Sequence, residues 1–136
     1  MNKVKWDYIT PLAKPDAVEA FLDGHEVKLP AVLVAWLGAN NAGTPKPGTF
    51  TAGKRAGNVF KCLLSYNEET DGTEDIYTFY PLLAQGSLYP LGLEGSGDAI
   101  CYDMETGAYV LVCHETGAVD VIDTASCPGL FPELEG

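Results

Sequence analysis

Val18, Phe21 and Leu22 recur at i, i+3 and i+4, which predicts a helix over residues 15–23 with one apolar face. Pro15 suits the first helical position, Asp16 and Glu19 favour the positive end of the dipole, and Gly24 can cap the far end. A second apolar run, residues 31–37, lies between Pro30 and Gly38. Periodicity alone would allow a strand there. The Pro and Gly brackets favour a short helix, apolar all round and therefore largely buried. Residues 6–8 form a short opening segment, and residues 40–53, with Asn-Asn-Ala-Gly and then Thr-Pro-Lys-Pro-Gly, read as loop.

Beyond residue 54 the pattern changes. A strand is expected within 54–67, centred on 59–66, followed by a polar turn at 68–72. Asp71 and Glu74 have capping-box spacing. Ile76, Phe79, Tyr80 and Leu83 repeat at helical spacing, although Pro81 argues against a helix running far past Tyr80. Residues 88–93, 98–103, 109–115 and 119–125 are strand candidates. Glu-Thr-Gly-Ala occurs at both 105–108 and 115–118, and Gly after a polar residue provides the positive φ of a tight hairpin. The repeat thus marks two successive hairpins of an antiparallel meander. The fold class is α+β: one domain over 1–136, with a helical part at about 6–38, a β-rich part at about 54–125 and a tail at 126–136. Its mainly antiparallel central sheet should carry helices on one side.

Charge sharpens this picture. Net charge is −11, and every Lys and Arg lies at or before Lys61. The formal charge splits into +3 for residues 1–61 and −14 for the remainder. Such a chain repels nucleic acid and suits a basic protein partner, or is simply soluble. No apolar run at the N-terminus resembles a signal peptide and none approaches a membrane span, so a cytoplasmic protein is expected.

Cys62, Cys101, Cys113 and Cys127 form no Cys-x-x-Cys pair, and neither His25 nor His114 lies at zinc-finger spacing from them. Free thiols are expected. A Cys101–Cys113 disulfide is conceivable from neighbouring strands, but both read better as small core residues. The segment 67–75 has the oxygen ligands and central Gly of a calcium loop, yet Thr78 stands where a bidentate Glu should close it. No metal or cofactor is expected. Gly95-Ser96-Gly97 is a turn, lacking the spacing of a nucleophile elbow or a dinucleotide loop. His114 reads as a lone strand histidine, so no catalytic residue is assigned. A sheet pocket near Asp98, Asp103 and His114, binding a small ligand or serving an enzyme, is the least favoured alternative.

Several segments together resemble the SUKH superfamily, whose bacterial members largely act as immunity proteins against polymorphic toxins and whose fungal members regulate cell-wall synthesis. They are Lys28-Leu29-Pro30, Asn41-Ala-Gly43-Thr-Pro45, Leu63-Leu64-Ser65-Tyr66-Asn67, Tyr89-Pro90-Leu91-Gly92, Gly97-Asp98-Ala-Ile-Cys-Tyr-Asp103 and Val112-Cys-His114-Glu115. They stand in the family's order across residues 6–123. The resemblance implies a mixed fold with a central sheet, and a binding module rather than an active site. The family usually ends in a Ser-Phe segment and a short helix. Here Pro128, Gly129 and Pro132 predict an irregular tail in which Leu130, Phe131 and Leu134 cover the core edge.

The expected function is neutralisation of a cognate, basic, nucleic-acid-targeting bacterial toxin by occlusion, with no direct nucleic-acid or membrane contact. A regulatory interaction scaffold is the alternative. Contact candidates are Glu68, Glu69, Asp71, Glu74 and Asp75 of the acidic turn, with neighbouring Tyr66 and Tyr77.

Overall fold

A computed structural model describes residues 4–68 and 74–134. The calcium-like loop, the Asp71 half of the capping box, and Glu69 and Asp71 of the acidic turn lie wholly or partly outside the described residues. In chain order the elements are β1 (Lys5–Asp7), α1 (Ala17–Gly24), α2 (Ala31–Ala39), β2 (Thr44–Lys46), β3 (Thr49–Ala52), β4 (Arg55–Leu63), α3 (Ile76–Leu83), β5 (Leu88–Glu94), β6 (Ala99–Asp103), β7 (Tyr109–Val112) and β8 (Val119–Asp123). A single 3-10 turn follows at Thr124–Ser126. The class is α+β, with antiparallel ladders, and no helix among the described residues is long and apolar enough to cross a membrane.

The sheet does more than form a layer. Strands β3 to β8 pair in sequence, and β8 returns to β3 through Thr51↔Asp123 and Ala52↔Ile122, closing a six-stranded barrel. Closure needs bends, and register shifts occur in the β3–β4, β4–β5 and β5–β6 ladders. Side chains alternate cleanly. Ile100 and Tyr102 of β6, Tyr109 and Leu111 of β7, and Ile122 of β8 join Phe50, Phe60 and Leu91 in the main core. Ala99, Cys101 and Val110 face the other way, into a second, small cluster partly covered by Leu83 of α3 and by Leu88.

Both Glu-Thr-Gly-Ala segments make hairpins, as their repeat predicts. Gly107 and Gly117 have φ of 79° and 77°, and their N–H groups donate to Asp103 O and Cys113 O. Thr106 and Thr116 accept from the N–H two residues on, so the two turns share one hydrogen-bond scheme. Leu130 and Phe131 of the irregular tail are buried, and the Phe131 ring stacks on Tyr109.

Several expectations need correction. Residues 40–53 are not simply loop: they contain β2, which pairs with β1 (Trp6↔Pro45), and β3 of the barrel. Helix α2 buries only Leu33 and Leu37, while Ala31, Val32, Ala35 and Ala39 are exposed, because it packs on α1 through one side. Helix α3 continues through Pro81 to Leu83. Its cap is Asp75, whose carboxylate accepts from Thr78 N at 2.8 Å. Strand β4 ends at Leu63, and His114 lies in the β7–β8 turn rather than in a strand.

Candidate functional site

Two polar assemblies gather the residues singled out by sequence. The first ties the N-terminal arm to the segment after β4. Asn41 is fully buried; its Nδ2 donates to Thr10 O at 2.9 Å and Ser65 Oγ at 3.2 Å, and its Oδ1 accepts from Tyr66 N at 2.8 Å. Asn67 Oδ1 accepts from Ala13 N at 2.8 Å, and its Nδ2 donates to Pro11 O at 3.1 Å. The Tyr66 and Tyr89 hydroxyls meet at 2.6 Å, and burial pushes both phenols well above their ordinary range. Three of the six resemblance segments thus interlock through side chains that must be satisfied once buried.

The second assembly sits at one end of the barrel. Asp98, at the start of β6, is almost fully buried. It accepts from Arg55 Nη1 at 2.7 Å, from His114 N at 3.1 Å and from His114 Nδ1 at 2.6 Å. One carboxylate therefore clamps the start of β4 and the β7–β8 turn to the β5–β6 turn. Glu94, also buried, accepts from Ser96 N at 2.9 Å and from its hydroxyl, closing the same β5–β6 turn. Burial pushes the Asp98 carboxyl up, but hydrogen bonds from Arg55 and His114 outweigh it and hold the group below its ordinary value. The Asp98 bond in turn raises His114.

An Asp–His pair of this kind orients an imidazole, as in acyl-transfer sites. Here no hydroxyl or thiol is hydrogen-bonded to His114 Nε2 among the described residues; its neighbour is Glu115 Oε1 at 3.8 Å. The Cys113 thiol, held below its ordinary value by a hydrogen bond with Thr116, is turned to its own hairpin. Asp103 does not join the pair. It lies at the far end of β6, bound by Ser87 Oγ at 2.6 Å and Glu105 N at 3.0 Å. The pocket envisaged around Asp98, Asp103 and His114 is therefore split between opposite ends of one strand, about 16 Å apart at the rise of a strand residue.

The clamp gives a pH signature. His114 has a raised folded pKa, so its stabilisation is complete below the unfolded value of 6.5 and is lost as pH rises through the folded value. Asp98 has a lowered folded pKa, so its share is present above 3.8 and is lost as pH falls through the folded value. Urea midpoints across pH should therefore fall above pH 6.5 in the wild type. His114→Gln should flatten that limb while leaving the acid limb of Asp98 in place.

Of the contact candidates, Tyr66, Glu68, Glu74, Asp75 and Tyr77 lie among the described residues. Tyr66 is buried at 1% exposure: its ring fills the core and its hydroxyl meets that of Tyr89. Tyr77 is half-buried and donates to Tyr66 O at 2.9 Å. Glu74 pairs with Lys61, which lowers its carboxyl below the ordinary value, and Asp75 caps α3. Glu68 is exposed. Glu68 also lines a cavity of about 530 Å³, together with Lys14, Asp16, Tyr66, Asn67 and Tyr77, so three of the contact candidates share one concave surface with charges of both signs.

Cys62, Cys101 and Cys127 are buried free thiols; burial pushes Cys62 up to about 11 and Cys101 to about 12. Cys101 lies opposite Val110, not Cys113, so the ladder register does not offer that disulfide. No group of three His, Cys, Asp or Glu among the described residues is placed to hold a metal ion. In comparisons with known proteins, no family model matches the chain, and no curated protein and no solved structure is significantly similar to it.

Proposed function

We propose that the chain is an immunity-type binding protein of the SUKH kind, which neutralises a basic, nucleic-acid-targeting toxin by covering its cleft. The observation that carries this reading is the charge split: fourteen acids and no Lys or Arg follow Lys61. A cleft that holds phosphates is basic, and carboxylates presented on a matching surface occupy it without any chemistry. The ion pairs that join the two halves among the described residues, Arg55–Asp98 and Lys61–Glu74, use two of those acids. Exposed Glu105, Glu115, Asp123 and Glu133 remain on the acidic half. The architectural duties of Asn41, Asn67, Asp98 and His114 agree with a module whose recognisable residues build a scaffold.

Co-expression with a candidate toxin domain of basic, nucleic-acid-cleaving type is the test. Wild-type protein should restore growth. Association should approach about 10⁸ M⁻¹s⁻¹ at low salt and slow as salt shortens the Debye length. An association rate indifferent to salt would remove the electrostatic mechanism, and absence of protection would remove the toxin reading.

A further inference from the structure

Strand β8 is turned against the usual logic of a sheet. Its sequence Val-Asp-Val-Ile-Asp would ordinarily bury the valines and expose Asp120. The ladder does the reverse. Asp120 stands opposite buried Leu111, and its carboxylate lies against Gly53, while Ile122 enters the core. Val119 and Val121 face out, 47% and 61% exposed. The closure of β8 on β3, with Ala52 opposite Ile122, fixes this register, since a one-residue slip would expel Ile122.

The outward valines do not stand alone. Val119 is opposite Val112, and Val121 is opposite Val110, which belongs with Ala99 and Cys101 to the second cluster. Leu83 and Leu88 help cover that cluster, whereas the two valines of β8 are open to water. Acids border this apolar strip: Asp123 and Glu105 towards one end, and Glu115 in the turn at the other. Arg55 and His114 at that second end are engaged by Asp98, with His114 Nε2 3.8 Å from Glu115, and exposed Lys54 nearby in the β3–β4 turn is a further partial counterweight, so the acidic rim is stronger at the Asp123 and Glu105 end.

We infer that the outer face of β7 and β8, centred on Val112, Val119 and Val121, is the docking surface for a basic protein whose contact has an apolar centre and a Lys/Arg rim. An apolar centre within a charged rim is the anatomy of a protein interface, and the sign of the rim selects the partner. A second copy of this chain fits poorly, because it would set acid against acid at a net charge of −11 each. The inference rests on the reading of the chain as a binder of a basic protein and names its surface.

The probe is a short amphipathic helical peptide of lysine and leucine, with a glutamate and leucine peptide as control. Titration should shift the backbone amide resonances of Val112, Val119 and Val121, and binding should weaken with salt. Val121→Lys sets a like charge against the partner at an exposed site and should weaken the lysine peptide roughly tenfold or more. Val119→Thr keeps the β-branch and should weaken it less. Unchanged melting curves for both variants would separate lost binding from lost folding. Equal binding of the glutamate peptide, shifts centred on Ala31 and Ala35 of α2, or a wild-type dimer abolished by V121K would each overturn the surface. In co-expression, V121K should fail to protect. V121K protecting as well as wild type would overturn this surface and leave the binding function standing. Wild type failing to protect removes the toxin, and the peptide titration then decides the surface by itself.

Discussion

Gly92→Ala is expected to destabilise the barrel by about 3 kcal/mol or more, visible as an earlier urea midpoint with the far-ultraviolet spectrum of any folded fraction unchanged. A Cβ at residue 92 would lie 2.4 Å from the carbonyl oxygen of Cys62 and 3.2 Å from Leu63 Cα. Both are backbone atoms of the paired strand, at a place where β4 and β5 each shift register. Backbone cannot step aside as a side chain can. Trimming Phe60, whose ring carbon would be 3.1 Å away, should therefore fail to rescue the variant. Rescue by Phe60→Leu would place the strain in the core and not at the strand crossing.

The difference between what was legible and what was not follows contact range. Helix α1 announces itself through Val18, Phe21 and Leu22 because its period is local, and the twin hairpins do so because Gly107 and Gly117 must supply positive φ at fixed offsets. Strands β2 and β3 were hidden because Thr44–Lys46 contains Pro and takes its order from Trp6, far away in sequence. Barrel closure was hidden for the same reason, since Thr51 meets Asp123 only in three dimensions. The surroundings of the acidic turn were hidden in another way. Charge density is visible in a sequence, but pairing is not, and neither Lys61 beside Glu74 nor the burial of Tyr66 has a local signal. The outward turn of Val119 and Val121 was equally silent, because alternation states a period and not which side is wet.

The residues that carry the resemblance fall largely inside the protein. Gly92 allows two strands to meet, Tyr89 and Tyr66 share a buried hydroxyl contact, and Asp98 ties His114 of the β7–β8 turn and Arg55 of β4 to the β5–β6 turn. A scaffold fixed in this way leaves its exposed strand faces free of structural duties, and under the proposed function those faces are where a partner would be met. The proposed division of labour is then physical: buried polar groups hold the barrel, and the acidic, valine-bearing outer face meets the partner.

Asn41→Ala should be the most costly polar substitution that leaves the sheet ladders untouched, at about 3 kcal/mol, or roughly 10 °C in melting temperature for a chain of this size. It strands the buried N–H of Tyr66 and withdraws the amide donor from the Thr10 carbonyl and from the buried Ser65 hydroxyl, which keeps only the N–H of Asn67 as a partner. Asn41→Asp keeps the acceptor for Tyr66 N but loses the donors and buries a carboxyl. Desolvation would raise the folded pKa of that carboxyl above its unfolded value, so the protonated form favours folding. Stability of N41D should thus be best at acid pH and decline as pH rises, a slope that N41A lacks. Ser65→Ala alone removes one partner, and in the double variant with N41A the losses should be less than additive, because the two side chains share a hydrogen bond. Fully additive losses in that cycle would mean that Asn41 acts through Thr10 and Tyr66 alone, with the N-terminal arm as the element it holds.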